Sequence, residues 1–69
     1  MSFSKDFGRR IQRLRMTNGL TQEQLCESAN IDRSYIQRIE AGTRIPSIEI
    51  VFRIHKALGC TWDELMKGL

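Results

Sequence analysis

A chain of 69 residues is enough for one small domain, residues 1–69, and too short to enclose a deep catalytic cleft. Its apolar content of 41% and charged content of 28% are ordinary for a globular protein, and no apolar run could cross a bilayer. The net charge is +3, from 11 basic and 8 acidic residues. The basic residues concentrate in 5–15 and 33–44, which favours a polyanionic partner, with ordinary solvated helix faces as the alternative.

The first predicted helix has apolar residues on one face at helical spacing: Phe3, Phe7, Ile11 and Leu14. Ser2 or Ser4 can cap its start. Asn18-Gly19 ends the helix, because both residues tolerate a left-handed backbone.

The stretch 21–42 contains two further helix starts that are close together. Thr21 begins one helix, with Gln24 in the position that completes a capping box, and Asp32 begins the next. Between them Asn30 tolerates the positive φ of a sharp turn. A small residue, Cys26, lets the two helices approach each other. The pattern predicts a helix-turn-helix unit, with an unrelated α-hairpin as the alternative.

Two more helices are predicted after a loop at 43–46. Ser47 caps the fourth helix and Gly59 ends it, and Thr61 caps a short fifth helix anchored by Leu65. The fourth helix carries a broad apolar surface of Ile48, Val51, Phe52, Ile54, Ala57 and Leu58. No segment alternates as a strand would, so the predicted fold is all-α with five helices.

The motif TQEQL…A.I..SYI..IE.G.R.PS, followed by KALG and a capped DEL, resembles the Cro and phage-repressor type of helix-turn-helix domain, the XRE family. The resemblance covers about residues 7–66 and implies a five-helix lambda-repressor-like domain that binds DNA, usually as a dimer on a palindromic operator. Two departures are Asn30, where the family usually has Gly, and His55, where alanine is common. The short length and Tyr35 are similar to the controller proteins of restriction–modification systems.

The third helix is the predicted recognition helix, since the first turn of such a helix points into the major groove. Arginine can bond two acceptors of guanine, glutamine can do the same with adenine, and Tyr and Ser suit phosphates or thymine methyl groups. The candidate base-reading residues are Arg33, Ser34, Tyr35, Gln37 and Arg38. The resemblance implies this role for Arg33, Ser34 and Arg38 in particular. The alternatives are a solvated helix face and, for Tyr35, packing over the helix pair.

Contacts with DNA phosphates are predicted at Gln22, Thr43 and Arg44. Gln22 begins a helix, and helix N-termini attract anions. Thr43 and Arg44 lie in the loop after the recognition helix, and an ordinary loop arginine is the alternative for Arg44. The family resemblance further implies a partly buried salt bridge between Arg15 and Glu40, with two independent surface charges as the alternative.

A dimer interface is predicted from apolar residues that a small monomer need not expose: Ile45, Ile50, Trp62, Met66 and Leu69. Ile50 is expected on the solvent side of the fourth helix. The alternative is that these are scattered surface apolar residues, which are common.

The leading functional interpretation is a sequence-specific DNA-binding transcriptional regulator that binds a palindromic operator as a homodimer. The alternative is an antitoxin-like or protein-binding helix-turn-helix module. No catalytic set, metal-ligand spacing or phosphate loop occurs, so we expect no enzyme activity, metal, cofactor or small-molecule ligand. Cys26 and Cys60 are expected to be reduced in the cytoplasm.

Overall fold

Five α-helices form the fold in a computed structural model that describes residues 2–69; residue 1 of the predicted domain lies outside the described residues. The helices are α1 Phe3–Thr17, α2 Gln22–Ala29, α3 Arg33–Ala41, α4 Ile48–Leu58 and α5 Trp62–Met66. No strand occurs within 2–69. The predicted all-α, five-helix architecture is confirmed.

Each helix begins at a residue whose side chain accepts a hydrogen bond from a backbone N–H of the first turn. These N-caps are Ser2, Thr21, Asp32, Ser47 and Thr61. Thr21 with Gln24, and Thr61 with Glu64, form complete reciprocal capping boxes. Polar side chains therefore satisfy N–H groups that a helix cannot satisfy by itself, and they fix where each helix starts.

The turn between α2 and α3 depends on Asn30, which has φ 56° and ψ 49° and so adopts the left-handed conformation. Asparagine tolerates this conformation better than most residues with a side chain. The Asn30 carbonyl also accepts a hydrogen bond from Arg53 Nη1 at 3.2 Å, which links the turn to α4.

Helices α1 and α3 cross in close contact at Gly8. A Cβ on this residue would collide with the carbonyl oxygen of Ile39 and lie 2.9 Å from that of Glu40. Only glycine therefore fits at this crossing, which holds α3 against α1.

The hydrophobic core lies where the five helices meet. Its fully buried large side chains are Phe7, Ile11, Leu25, Ile36, Ile39, Ile54 and Leu65. Cys26, Ala29 and Ile31 are also buried beside the helix-turn-helix unit. Burial of side chains from both α2 and α3 in one core stabilises the angle between these helices.

The expectation that Ile50 lies on the solvent side of α4 is wrong. Ile50 is half-buried and packs against the core, whereas Ile48 and Phe52 of the predicted apolar surface are 81% and 51% exposed. Ile50 precedes the buried Ile54 by one helical turn and so shares its face, while Ile48 and Phe52 lie on another side. Apolar residues surround most of α4, so the hydrophobic pattern did not distinguish its inner face.

Candidate nucleic-acid interface

Helix α3 presents one continuous outer face of polar and basic side chains. Arg33, Ser34, Gln37 and Arg38 are all exposed, whereas Ile36 and Ile39 point into the core. At 3.6 residues per turn the four exposed residues occupy adjacent positions around the helix. The structure therefore brings together four of the five predicted base-reading residues.

Ser34 has a local partner that sequence inspection missed. Its hydroxyl and its backbone N–H both donate to the Oδ2 atom of Asp32, the N-cap of α3. The hydroxyl oxygen retains lone pairs for a further donor. Ser34 is therefore held in place as an outward-facing acceptor.

Tyr35, the fifth predicted residue, lies at the edge of this face and packs against the core. The guanidinium carbon of Arg44 lies 4.9 Å from the centre of its ring, within the range of a cation–π contact. Tyr35 thus connects α3 with the loop that follows it. The alternative that Tyr35 packs over the helix pair describes its position better than a free base-reading role does.

The loop after α3 carries the exposed Thr43 and Arg44. The Thr43 N–H and hydroxyl both donate to the Arg38 carbonyl, at 3.0 and 3.3 Å, so the beginning of the loop is fixed on the end of α3. Arg44 carries its charge beside Tyr35, at the edge of the outer face of α3.

Arg15 and Glu40 form a two-pronged ion pair between α1 and α3. Arg15 Nε lies 2.7 Å from Glu40 Oε2, and Arg15 Nη2 lies 3.1 Å from Glu40 Oε1. The side chains are only 11% and 3% exposed. Such charge-assisted, bidentate pairs are stronger than neutral hydrogen bonds, and removal of one buried partner leaves an uncompensated charge.

Gln22, at the start of α2, joins the same network. Its amide Nε2 donates to Glu40 Oε1 at 3.0 Å, and Arg15 Nη1 donates to the Leu20 carbonyl at 2.8 Å, just before α2 begins. Helix geometry leaves the N–H groups of residues 22 and 23 without an intrahelical acceptor. The network therefore fixes a helix N-terminus, the kind of group that favours anions, relative to α3.

The basic stretch at 5–15 does not form one uniform surface. Arg15 is held by Glu40, and Arg10 donates to the carbonyls of Glu64, Leu65 and Lys67 at the end of α5. Charge clustering in the sequence could not distinguish these structural arginines from the exposed Arg9 and Arg13.

An aromatic cluster lies on the surface formed by α4 and α5. The rings of His55 and Trp62 stack in parallel, with centroids 3.8 Å apart and 3° between their planes, and Phe52 lies 6.2 Å from Trp62.

Of the predicted interface residues, Ile45, Trp62, Met66 and Leu69 are exposed and the half-buried Ile50 is not. Leu69 borders a groove with α1 residues. Ile48 and Phe52, which the interface prediction omitted, are also exposed.

The two cysteines do not resemble reactive thiols. Burial raises the pKa of Cys26 and that of Cys60, which keeps both thiols protonated.

Among residues 2–69, no group of three or more His, Cys, Asp or Glu side chains is placed to bind a metal ion. None of the helices in this part of the chain is both long enough and apolar enough to span a membrane.

Three known transcription regulators show how far the sequence similarity extends. The chain is 38% identical over 63 residues to the transcriptional activator BcrR of Enterococcus faecalis, covering 91% of this chain and 31%, about a third, of that protein. It is 34% identical over 61 residues to the control protein C.BamHI of Bacillus amyloliquefaciens, covering 87% and 75% of the two chains. It is 42% identical over 52 residues to the immunity repressor of Bacillus phage phi105, covering 75% and 36%.

Solved structures agree in fold as well as in sequence. The restriction–modification controller protein C.AhdI of Aeromonas hydrophila superposes with a TM-score of 0.85 and 35% identity, over 90% of this chain and 94% of that one. The controller protein C.Esp1396I, crystallised as a tetramer with its natural 35-base-pair operator, gives a TM-score of 0.82 at 33% identity, over 90% and 83%.

A model of the helix-turn-helix family matches residues 11–65, which include all of α2 to α4, the second half of α1 and most of α5. Together with the similarity to the controller proteins, this match covers most of the chain. The chain belongs to the XRE-type helix-turn-helix family of DNA-binding transcriptional regulators.

Proposed function

We propose that this chain is a sequence-specific regulator of transcription that binds double-stranded DNA by inserting α3 into the major groove. The observation that carries the proposal is the continuous exposed face of Arg33, Ser34, Gln37 and Arg38. Gln22 on one side and Arg44 on the other flank this face. A helix whose exposed side bears donors matched to base edges suits the major groove, which is wide enough to admit it.

The exposed side chains of α3 differ in which atoms of the bases they are suited to bind. Arg33 and Arg38 are suited to the O6 and N7 acceptors of guanine, and Gln37 to adenine. Ser34, whose hydroxyl donates to Asp32, is suited to accept a hydrogen bond from a base. Tyr35, packed beneath Arg44, supports the edge of the interface.

Phosphate contacts fix the register of the helix on the duplex. Gln22, Thr43 and Arg44 lie at the two ends of the α2–α3 unit. Arg44 supplies charge, and the N-terminus of α2 supplies backbone N–H donors. Such contacts are independent of base sequence, and they make affinity depend on salt.

The chain acts as a homodimer in this proposal, through what we call the α4–α5 patch: Ile45, Ile48, Phe52, Trp62 and Met66. All five residues are large, apolar and exposed. Ile48 and Phe52 replace Ile50 of the predicted interface, and Leu69 is assigned instead to the groove beside α1. A two-fold pair would place two α3 helices on one side of the duplex, about one helical turn apart on a palindromic operator. The crystallised C.Esp1396I tetramer on its operator supports assembly of this kind.

Selection of bound duplexes from random DNA at physiological salt tests the proposal. We expect a two-fold symmetric site whose half-sites are separated by about one turn of DNA. Sedimentation of the free chain, measured in parallel, should show a dimer. Failure to enrich any sequence above background would overturn the proposal.

A second candidate function is a protein-binding module, favoured by the exposure of Ile48 and Phe52 on the α4–α5 patch. Under this alternative the patch binds a different protein and the α3 face is secondary. A monomeric chain that enriches no DNA sequence would favour it over the dimeric regulator.

A further inference from the structure

Glu40 lies on the recognition helix and yet belongs to the interior. Its side chain is 3% exposed, and its two carboxylate oxygens receive hydrogen bonds from Arg15 and Gln22. Arg15 is a component of the fold, but Gln22 is a proposed phosphate contact. One buried carboxylate therefore connects the scaffold of the domain to its DNA-binding surface.

The chemistry of this contact determines which end of the Gln22 amide is bound. An ionised carboxylate only accepts hydrogen bonds, so it selects the amide nitrogen, and the observed donor is Nε2 at 3.0 Å. That nitrogen carries a second N–H, which remains available to another acceptor. Glu40 thus orients the amide and also restricts a flexible side chain before any DNA arrives.

The charge of Glu40 would by itself repel a phosphate near Gln22. Arg15 neutralises it at 2.7 and 3.1 Å and also holds the Leu20 carbonyl, immediately before the α2 N-cap. The network therefore sets both the electrostatics and the position of the α2 N-terminus.

We propose that Glu40 is a positioning residue for DNA binding: it holds Gln22 so that the amide N–H and the N-terminus of α2 meet the same backbone phosphate. The inference rests on the proposed DNA-binding function. Its energetic basis is preorganisation, because a glutamine already fixed in the free protein loses less side-chain entropy when it binds. The effect is independent of base sequence, since a phosphate is contacted.

A double-mutant cycle with Gln22→Ala and Glu40→Ala tests this inference, because alanine at residue 40 removes the acceptor of the Gln22 amide. The readouts are Kd for the selected operator and for a random duplex of equal length, each measured below the thermal midpoint of every variant. We expect Gln22→Ala to weaken binding to both duplexes about tenfold, as for loss of a hydrogen bond to a charged group. Glu40→Ala should weaken both as well, but should cause no further loss in the Gln22→Ala background.

If Glu40 only stabilises the fold, the double-mutant cycle should give a different result. Glu40→Ala would then weaken binding by the same factor with and without the Gln22 side chain, and this outcome would overturn the inference. If Glu40→Ala does not fold at the assay temperature, Glu40→Asp replaces it, because it retains a charge for Arg15 but is one methylene shorter. The same criterion of non-additivity applies to it.

Nuclear magnetic resonance of the free protein gives a second readout that needs no DNA. The side-chain amide of Gln22 should be rigid in the wild type and mobile in the Glu40 variant. An equally mobile amide in both would overturn the inference. A wild-type chain that binds no duplex would overturn the proposed function and this inference together, whereas normal binding with additive losses overturns the inference alone.

Discussion

The residues of α3 form two groups: some stabilise the fold, and others are exposed on its outer surface. Glu40 is almost fully buried against Arg15, whereas Arg33, two turns earlier on the same helix, is exposed. Tyr35 lies between these classes, because its ring packs on the core and also carries Arg44. The position of each residue around the helix therefore decides what its substitution changes.

Arg33→Ala should reduce affinity for the operator by about 1–3 kcal/mol and relax sequence preference at one base pair. The reason is the loss of a bidentate contact with a base edge, which random DNA does not offer. Titration of operator and random duplexes measures the difference. Arg9→Ala, at an exposed arginine of α1 that lines the groove beside Leu69, is the matched control and should leave both affinities unchanged. Equal losses on the two duplexes would exclude Arg33 as a base reader.

Arg44→Ala should weaken binding to every sequence and reduce the slope of log K against log salt by about one. Arg44 lies in the loop beside Tyr35, and in the proposed complex it contacts the DNA backbone and not the bases. Affinities measured over a range of salt concentrations give the slope. A loss confined to the operator, with an unchanged slope, would contradict the phosphate assignment.

At the scale of elements, the fold depends on a few close approaches and caps. Helices α1 and α3 touch backbone to backbone at Gly8, and both α2 and α5 begin with a reciprocal capping box. This close approach and these caps fix the positions of the helices more narrowly than the burial of apolar side chains does. One added methyl group at Gly8 or one proton on Glu64 is enough to alter them.

Gly8→Ala should destabilise the fold by several kcal/mol, even though alanine is about 1 kcal/mol better than glycine within a helix. The added methyl group would meet the carbonyls of Ile39 and Glu40, which cannot move without separating α1 from α3. Urea unfolding measures the free energy of unfolding. Gln12→Ala, on the exposed side of α1, is the control and should be close to neutral. A Gly8→Ala chain as stable as the wild type would show that the crossing tolerates separation.

Acidification should weaken the start of α5 through Glu64. Hydrogen bonds from the backbone N–H of Thr61, and then from its side chain, lower the pKa of Glu64 below its ordinary value of 4.5. Because the folded pKa lies below the unfolded one, the contribution to stability is complete above about pH 4.5. It is lost as the pH falls through the lower, folded value.

Thermal midpoints at about pH 6 and about pH 3 measure this effect. Glu64→Gln is the control, because its amide oxygen still accepts the Thr61 N–H but does not titrate. The wild type should lose more stability in acid than the variant does. Equal losses would assign the acid sensitivity to other carboxylates.

The whole molecule combines the polar and basic face of α3, which we propose binds DNA, with an exposed apolar side. The α4–α5 patch exposes Ile48 and Phe52 together with the stacked Trp62. In the proposed dimer one substitution acts twice, because each partner contributes the same residue to a two-fold interface.

Ile48→Lys should shift the monomer–dimer equilibrium by about a hundredfold or more, since burial of an isoleucine contributes about 1.5–3 kcal/mol in each partner. The side chain is 81% exposed, so the monomer fold should be unaffected. Analytical ultracentrifugation gives the dissociation constant. Met16→Lys, at an exposed apolar residue of α1, is the control. An unchanged dimer would place the interface elsewhere.

Much of this architecture was predictable from the sequence because the helix ends are marked locally. Thr21 with Gln24, Asn30, and Asp32 define the helix-turn-helix by residue type and spacing alone. The inner face of α4 was not predictable, because Ile48 and Ile50 are equally apolar and only packing distinguishes them. The contact of Gln22 with Glu40 joins residues far apart in sequence, and no local pattern specifies it.

The hydrogen bonds by which Arg10 anchors α5 bear on which part of the molecule unfolds locally first. A helix of five residues cannot persist on its own hydrogen bonds, so α5 depends on the burial of Leu65 and on the three carbonyls that Arg10 binds. We expect the amide hydrogens of α5 to exchange with solvent before those of α1 and α3. Because Trp62 and Met66 belong to this segment, association of two chains should slow that exchange.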